Sequence, residues 1–260
     1  MSDERAGEER IIEIEIERLR DFKHHPYQIK EDKQMKSLLE SIRSYGILSP
    51  LIVRPMPDGI YEVISGHRRK YAANYLGYRK VPVIIRVLSD DDAVILMVDS
   101  NLHREGIRPS EKAMAYKMKY DAIRRRSGKE AGDQDEKKVI GKRSVEILGE
   151  ETGDSPKQIQ RYIKITELIP ELLEKLDNEE LAFIPAFEAA FLPEQEQRML
   201  LDAMAYVQSA PSISQAQRIK KCSQEGTLTT KRIREILAEV KKGEINRVTF
   251  KNEQLYRRRT

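Results

Sequence analysis

Two short stretches of this chain carry residue types suited to an anionic ligand. The first is Gly66-His67-Arg68-Arg69, between an apolar run ending at Ser65 and a segment of helical character. A turn that leaves a strand and opens a helix exposes backbone N–H groups, and the helix dipole adds positive potential there. Glycine lets the backbone approach a ligand closely, and two guanidinium forks match phosphate oxygens. Two arginines snorkelling from an exposed helix start would give the same pattern with no ligand at all. The stretch is not a Walker A loop, because the glycine spacing and the terminal Lys-Ser/Thr are missing. The second stretch is Ser100-Asn101-Leu102-His103-Arg104, at the end of one helical segment and just before the next. The amide oxygen of Asn101 can ligate a hard cation such as Mg²⁺, and Arg104 can reach a phosphate.

A third constellation suits nucleic acid. Ser144 can cap a short helix over residues 145–151, Gly153 sits at a turn, and Ser155 can cap a second helix with Pro156 at its first position. Ile147, Leu148, Ile159, Tyr162 and Ile163 supply an apolar side, and Gly149 lets the two helices cross closely. This is a helix-turn-helix pattern. Ser155, Lys157, Gln158, Gln160, Arg161 and Lys164 are the candidate DNA-binding residues. Gln and Arg make bidentate contacts to base edges, while Lys and Ser hold phosphates. An ordinary helical hairpin with a solvated polar face shows the same spacing.

The flanking elements follow from periodicity. Ile12, Ile14 and Ile16 alternate with Glu13, Glu15 and Glu17, which predicts a half-buried strand. Met35, Leu38, Leu39, Ile42 and Tyr45 share one helical face, stopped by Gly46. Strands over 50–55 and 60–65 flank the turn Pro57-Asp58-Gly59, a helix runs from about 68 to 76, and a strand follows near 81–88. Ser89 caps a helix with three aspartates in its first turn, and another helix starts near Pro109, with Ser110 a possible cap. Residues 127–142 are polar and contain glycine, the best linker candidate; beyond them the pattern is helical, with one short strand expected in 245–250. The chain thus reads as mixed α/β followed by all-α.

Composition narrows the function classes. The 260 residues are 39% hydrophobic and 35% charged, with a mean hydropathy of −0.62. The net charge is only +4, so its distribution matters more than its sum. Basic residues gather in 112–126, 137–143 and the final Arg257-Arg258-Arg259, which suggests a polyanionic partner. Cys222 is the single cysteine, which excludes an internal disulfide framework and points to a reducing compartment. No apolar run approaches membrane-spanning length, and the acidic first ten residues lack the features of a signal peptide. His24, His25, His67 and His103 show no metal-ligand spacing, so a transition-metal site is not expected.

Taken in order, these motifs resemble the ParB family of plasmid and chromosome partition proteins. The family's GERR loop corresponds to Gly66-His67-Arg68-Arg69, its ENxxR motif to residues 100–104, and its GILxP segment to Gly46-Ile47-Leu48-Ser49-Pro50. The resemblance covers roughly residues 11–205, including the run after the second helix of the helix-turn-helix. It implies an α/β ParB-like N-terminal domain with a small mixed sheet, followed by an all-α helix-turn-helix domain. It also implies CTP with Mg²⁺ as the ligand of Gly66, His67, Arg68, Arg69, Asn101 and Arg104, with Asn101 near the metal. The implied partners are double-stranded DNA with a centromere-like site, a second copy in a homodimeric clamp, and a ParA-type ATPase engaged by the N-terminal segment. The implied location is cytoplasmic and nucleoid-associated, with no membrane. The expected organisation is an N-terminal segment 1–10, a nucleotide-binding domain 11–126, a linker 127–143, a helix-turn-helix domain 144–205 and a helical region 206–260 with a basic tail. Two motif acids are replaced, by His67 and Ser100, which predicts slow or absent hydrolysis and no assigned catalytic residue. The family's C-terminal dimerisation domain is not recognisable in the final residues. Two other functions stay open: a helix-turn-helix transcriptional regulator without nucleotide, and an enzyme of the ParB/sulfiredoxin-like fold.

Overall fold

The computed structural model describes residues 10–23, 25–102, 106–128 and 144–239. The chain divides into two compact units, Met1–Gln160 and Arg161–Thr260.

The first unit is built on a five-stranded mixed sheet in the order β1-β5-β3-β4-β2, with β1 Ile11–Glu15, β2 Leu19–Asp21, β3 Leu51–Pro55, β4 Tyr61–Ser65 and β5 Lys80–Ile85. β1 runs antiparallel to β5 and β3 to β4, while β3 and β5, like β2 and β4, are parallel. Successive side chains of a strand point to opposite faces, so Val63 joins one core layer and Ile64 the other. Leu51, Val53, Val63, Val81 and Val83 pack with Ala73 of α2 (His67–Tyr75). Ile64 packs with Ala93, Met97 and Val98 of α3 (Asp90–Leu102) and Ala115 of α4 (Pro109–Gly128). A third cluster joins Met35 and Ile42 of α1 (Lys33–Tyr45) to Ala72. Ile14 and Ile16 are buried as expected, but Ile12 is 41% exposed. It lies near the start of an edge strand with a neighbour on one side only. Asp32 caps α1 by accepting the Met35 N–H at 2.7 Å, and Gly46 ends it at φ +72°. Ser110, the expected cap of α4, lies inside the helix; Arg108 precedes it and accepts the Lys112 N–H.

The basic run 112–126 is largely neutralised within the unit. Lys112 pairs with Asp154, Lys119 with Asp99 and Glu151, Arg125 with Asp91 and Arg126 with Asp92. The charge that the sequence offers to a polyanion is here used to fasten α4 to α3 and to the chain beyond residue 144.

Helix α5 (residues 144–152) precedes α6 (Pro156–Ile165). Ser144, expected as a cap, is itself helical and buried. The second unit continues with α7 (Pro170–Asp177), α8 (Phe183–Ala189), α9 (Glu194–Val207), α10 (Ile213–Gln224) and α11 (Thr230–Ala238). Its turns are tied by buried amides. Gln197 accepts the Ile169 N–H at 2.8 Å and donates to the carbonyls of Glu167 and Leu192, so one side chain satisfies three backbone groups. Gln215 completes a capping box with Ser212 and donates to the Ile236 carbonyl at 2.8 Å. No helix among the described residues is long and apolar enough to cross a membrane. The short strand expected in 245–250 and the bulk of the linker, 129–143, lie outside the described residues.

Candidate functional site

The turn from β4 into α2 forms one wall of a cavity of about 260 Å³. Gly66 stands there at φ +105°. A Cβ at this position would come within 2.8 Å of Leu51 Cγ, so both the backbone angle and the close approach require glycine. Ser100 and Asn101 from the last turn of α3 line the same cavity, as do Gln28 and Ile29. Two motifs more than thirty residues apart in sequence therefore meet in one cavity.

The four residues of the first motif do different things. The guanidinium of Arg68 pairs with Asp32 at 2.9 Å, beside Gln34, at a partly open edge. Arg69 is more deeply placed. It donates to the carbonyls of Ser49 and Pro50, the latter at 2.7 Å, and so holds the Gly46–Pro50 segment against α2. Burial lowers its pKa from the ordinary arginine value. His67 is turned inward and is only 6% exposed. Its Nε2 accepts the Phe22 N–H at 3.4 Å, and its ring lies 3.9 Å from that of His25. Burial first, then the neighbouring His25, push its pKa down to about 3. His67 is neutral at physiological pH, and the lone pair of Nε2 is engaged.

Asn101 donates through Nδ2 to the Met97 carbonyl at 2.8 Å and to Ser100 Oγ. Its amide oxygen is the atom suited to a cation. Among the described residues no cluster of three or more His, Cys, Asp or Glu side chains could hold a metal. A cation here would take most of its ligands from the anion it accompanies and from water. Asp99 does not replace the missing motif acid, because its carboxylate goes to Lys119. His24, His103 and Arg104 lie outside the described residues. The cavity is slightly smaller than the ~300–1,000 Å³ usual for small-molecule sites. It suits the phosphate end of a nucleotide better than the whole of one. Backbone amides at the N-terminus of α2, the absent side chain of Gly66 and the cationic edge at Arg68 make a donor set that fits an anion.

The α5–α6 pair has the expected local geometry. A Cβ on Gly149 would lie 3.0 Å from the Asp154 carbonyl oxygen, a tight approach of the turn, and 3.7 Å from Ile159 Cδ1 of α6, an ordinary contact. Gly153, at φ +75°, donates to the Gly149 carbonyl and ends α5. Ser155 Oγ accepts the Gln158 N–H at 3.2 Å and caps α6. The turn is anchored through Asp154, which accepts from Tyr116 Oη and pairs with Lys112 at 2.7 Å. Burial, then Asp154, push the Tyr116 pKa up to about 12. Burial alone would raise Asp154, yet the hydrogen bonds from Lys112 and Tyr116 hold it below its ordinary value.

Lys157, Gln160, Arg161 and Lys164 follow helical spacing along one face of α6. Lys157 and Gln160 are exposed; Gln158 is half-buried beside that face. Sequence reasoning missed an aromatic platform in the second unit. The Arg161 guanidinium stands 5.7 Å from the centre of the Phe187 ring, and Lys164 Nζ 4.6 Å from that of Phe191. The aromatic spacing 183, 187, 191 was the available signal, and it reads equally as core.

Comparison with known proteins completes this picture. Residues 1–102 match the family model of the ParB N-terminal domain. The matched segment contains Gly66–Arg69 and Asn101 and is under half of the chain. A protein of Deinococcus radiodurans named "Probable chromosome 1-partitioning protein ParB" is 38% identical over 42% of this chain and 37% of its own length. The nucleoid occlusion protein of Bacillus thuringiensis (strain Al Hakam) is 34% identical over 46% of this chain and 44% of its own. The chain thus spans under half the length of these curated relatives. The solved pNOB8-like ParB N-domain has a TM-score of 0.51 at 16% identity, covering 87% of this chain and 94% of that one, a likeness of fold. The ParB-like fold class, a small mixed sheet with helices and then an all-α region, is the one the structure shows.

Proposed function

We propose that this chain belongs to the ParB family and binds a nucleoside triphosphate in the cavity between β4–α2 and α3, and double-stranded DNA through α6. The two activities would serve partition or nucleoid occlusion at a centromere-like site in the nucleoid. The observation that carries the nucleotide site is the meeting of Gly66–Arg69 with Ser100 and Asn101 in one cavity. Arg68 and the first amides of α2 would take the phosphates, with Asn101 near an accompanying Mg²⁺. Arg69 contributes by holding the Gly46–Pro50 segment in place. CTP is preferred over other nucleotides on family likeness alone. Turnover is expected to be slow, because His67 is buried and its Nε2 engaged, and Ser100 Oγ already donates to the Met97 carbonyl. DNA binding is supported by the tight turn at Gly149, the Ser155 cap and the exposed Lys157 and Gln160. A homodimer would require a palindromic site, and a ParA-type ATPase is the expected further partner.

Calorimetry with CTP, ATP and GTP in the presence of Mg²⁺ tests the first half. Saturable binding of CTP is expected, with Arg68→Ala weakening it by about 10- to 100-fold, the loss typical of a charge-assisted hydrogen bond. No heat for any of the three nucleotides would remove the site. For DNA, Lys157→Ala should weaken all sequences alike and reduce the salt dependence. Gln160→Ala or Arg161→Ala should cost about 1–3 kcal/mol on a selected duplex if the side chain reads a base edge. Unchanged binding by all three variants would move the DNA surface away from α6.

A further inference from the structure

Lys119 sits in the middle of α4 with none of its surface reaching solvent. Its ammonium meets two carboxylates from two elements: Asp99 in α3, and Glu151 in α5 at 2.5 Å. Asp99 immediately precedes Ser100 and Asn101, which line the cavity. Glu151 lies in the last turn of α5, just before the turn into α6. The two acids are 43% and 49% exposed, so each has water as an alternative partner, while the lysine has none. An ammonium sealed from water must keep a carboxylate, because a buried unpaired charge costs far more than rearranging two half-solvated acids. Movement of either acid is therefore felt by the other through the shared cation.

The same helix fastens both ends of this link. At its start, Glu111 accepts the N–H of Gln28, a residue of the cavity wall, at 3.0 Å. Along its length Lys112, Tyr116 and Lys119 form one stripe, and the first two hold Asp154 in the turn between α5 and α6. We propose that Lys119 is a positioning residue that couples occupancy of the cavity to the placement of α5 and α6. The inference rests on the nucleotide site proposed above. A ligand that draws on Asn101 shifts the last turn of α3 and Asp99 with it; Lys119 then follows Asp99 or settles on Glu151, and α5 registers the change. By linkage the effect is reciprocal: whatever fixes α5 biases the cavity.

Amide hydrogen exchange of the full chain, with and without CTP and Mg²⁺, provides the test. In the wild type, CTP should change exchange rates at 65–69 and 97–101, and also at 144–160, by at least about fivefold, the lower end of usual coupling. Lys119→Met keeps the stem and removes the charge, and the two half-exposed acids it leaves behind can turn to water. It should retain the response at 65–69 and 97–101 and lose that at 144–160. Glu151→Gln leaves Lys119 paired with Asp99 and should behave likewise, which covers the case in which Lys119→Met fails to fold. A wild-type response at 144–160 that survives in whichever of these variants fold overturns the coupling role. So does a wild type that responds only at the cavity. No response at the cavity in the wild type instead removes the nucleotide site itself, and the inference with it.

Discussion

At the scale of single residues, the GERR-like loop is less uniform than its string of letters. Gly66 is fixed by two independent demands, a backbone angle of φ +105° and a Cβ position 2.8 Å from the fully buried Leu51. Gly66→Ala is expected to destabilise the chain by about 1–3 kcal/mol, the usual cost of a strained backbone position, read as a lower urea midpoint at unchanged slope. His67 makes a second, pH-dependent prediction. Its pKa is about 3 in the folded chain against an ordinary value of 6.5, so the unfolded chain binds the extra proton between these values. Stability from this group is complete above about pH 6.5, falls by up to ~1.4 kcal/mol per pH unit below it, and is lost below about 3. Urea midpoints across this range should fall less steeply in His67→Gln than in the wild type; equal slopes would show that His67 titrates normally. The glycine was legible in the sequence because a strand-to-helix turn asks for it. The inward turn of His67 was not, since the facing of the first helical residue depends on Phe22, and that residue reaches it only through the fold. Arg69 was equally hidden: a fork for phosphate and a fork for two backbone carbonyls are the same side chain.

At the scale of elements, periodicity and caps placed most of the framework. Ser89, Ser155, Gly46 and Gly153 bound their helices, because capping chemistry is local and readable, while the Asp32 cap emerged only from the structure. The role of α4 was not readable. Its basic face suggested an external polyanion, but its partners Asp91, Asp92, Asp99, Glu151 and Asp154 come from α3 and from beyond residue 144. A charge run announces its sign and not its partner. The need for a small residue at Gly149 was read correctly from size alone, and it gives a graded prediction. Alanine gains up to about 1 kcal/mol of helix propensity over glycine, offset by crowding against the Asp154 carbonyl at 3.0 Å. Gly149→Ala should therefore stay within about 1 kcal/mol of the wild type. Gly149→Val adds two methyl groups where the first is already tight, and overpacking of this kind costs about 1–3 kcal/mol. DNA affinity should fall with Gly149→Val and hold with Gly149→Ala. If valine leaves both stability and DNA binding unchanged, the turn does not approach Gly149 as closely as the structure has it.

At the scale of the whole chain, the polar run 127–143 and the compact units divide the molecule at different places. The run suggests a break before residue 144, whereas the packing keeps 144–160 with the first unit. The reason is the α4 stripe: Lys112, Tyr116 and Lys119 fasten Asp154 and Glu151. We therefore expect trypsin at low concentration to cut first among the lysines and arginines of 129–143, and the two pieces to stay together. A polar, glycine-containing run rich in lysine is a favoured site of nicking. The three bonds to Asp154 and Glu151 are partly buried, and so are screened less by salt than surface pairs. The nicked protein should elute as one species in gel filtration at moderate salt. Each piece should show its own band only under denaturing conditions. Nicked Lys119→Met or Tyr116→Phe should separate more readily. First cleavage within 72–97, with 129–143 protected, would reverse this organisation. Fragments that part immediately after nicking would show that the α4 stripe does not hold the helix pair.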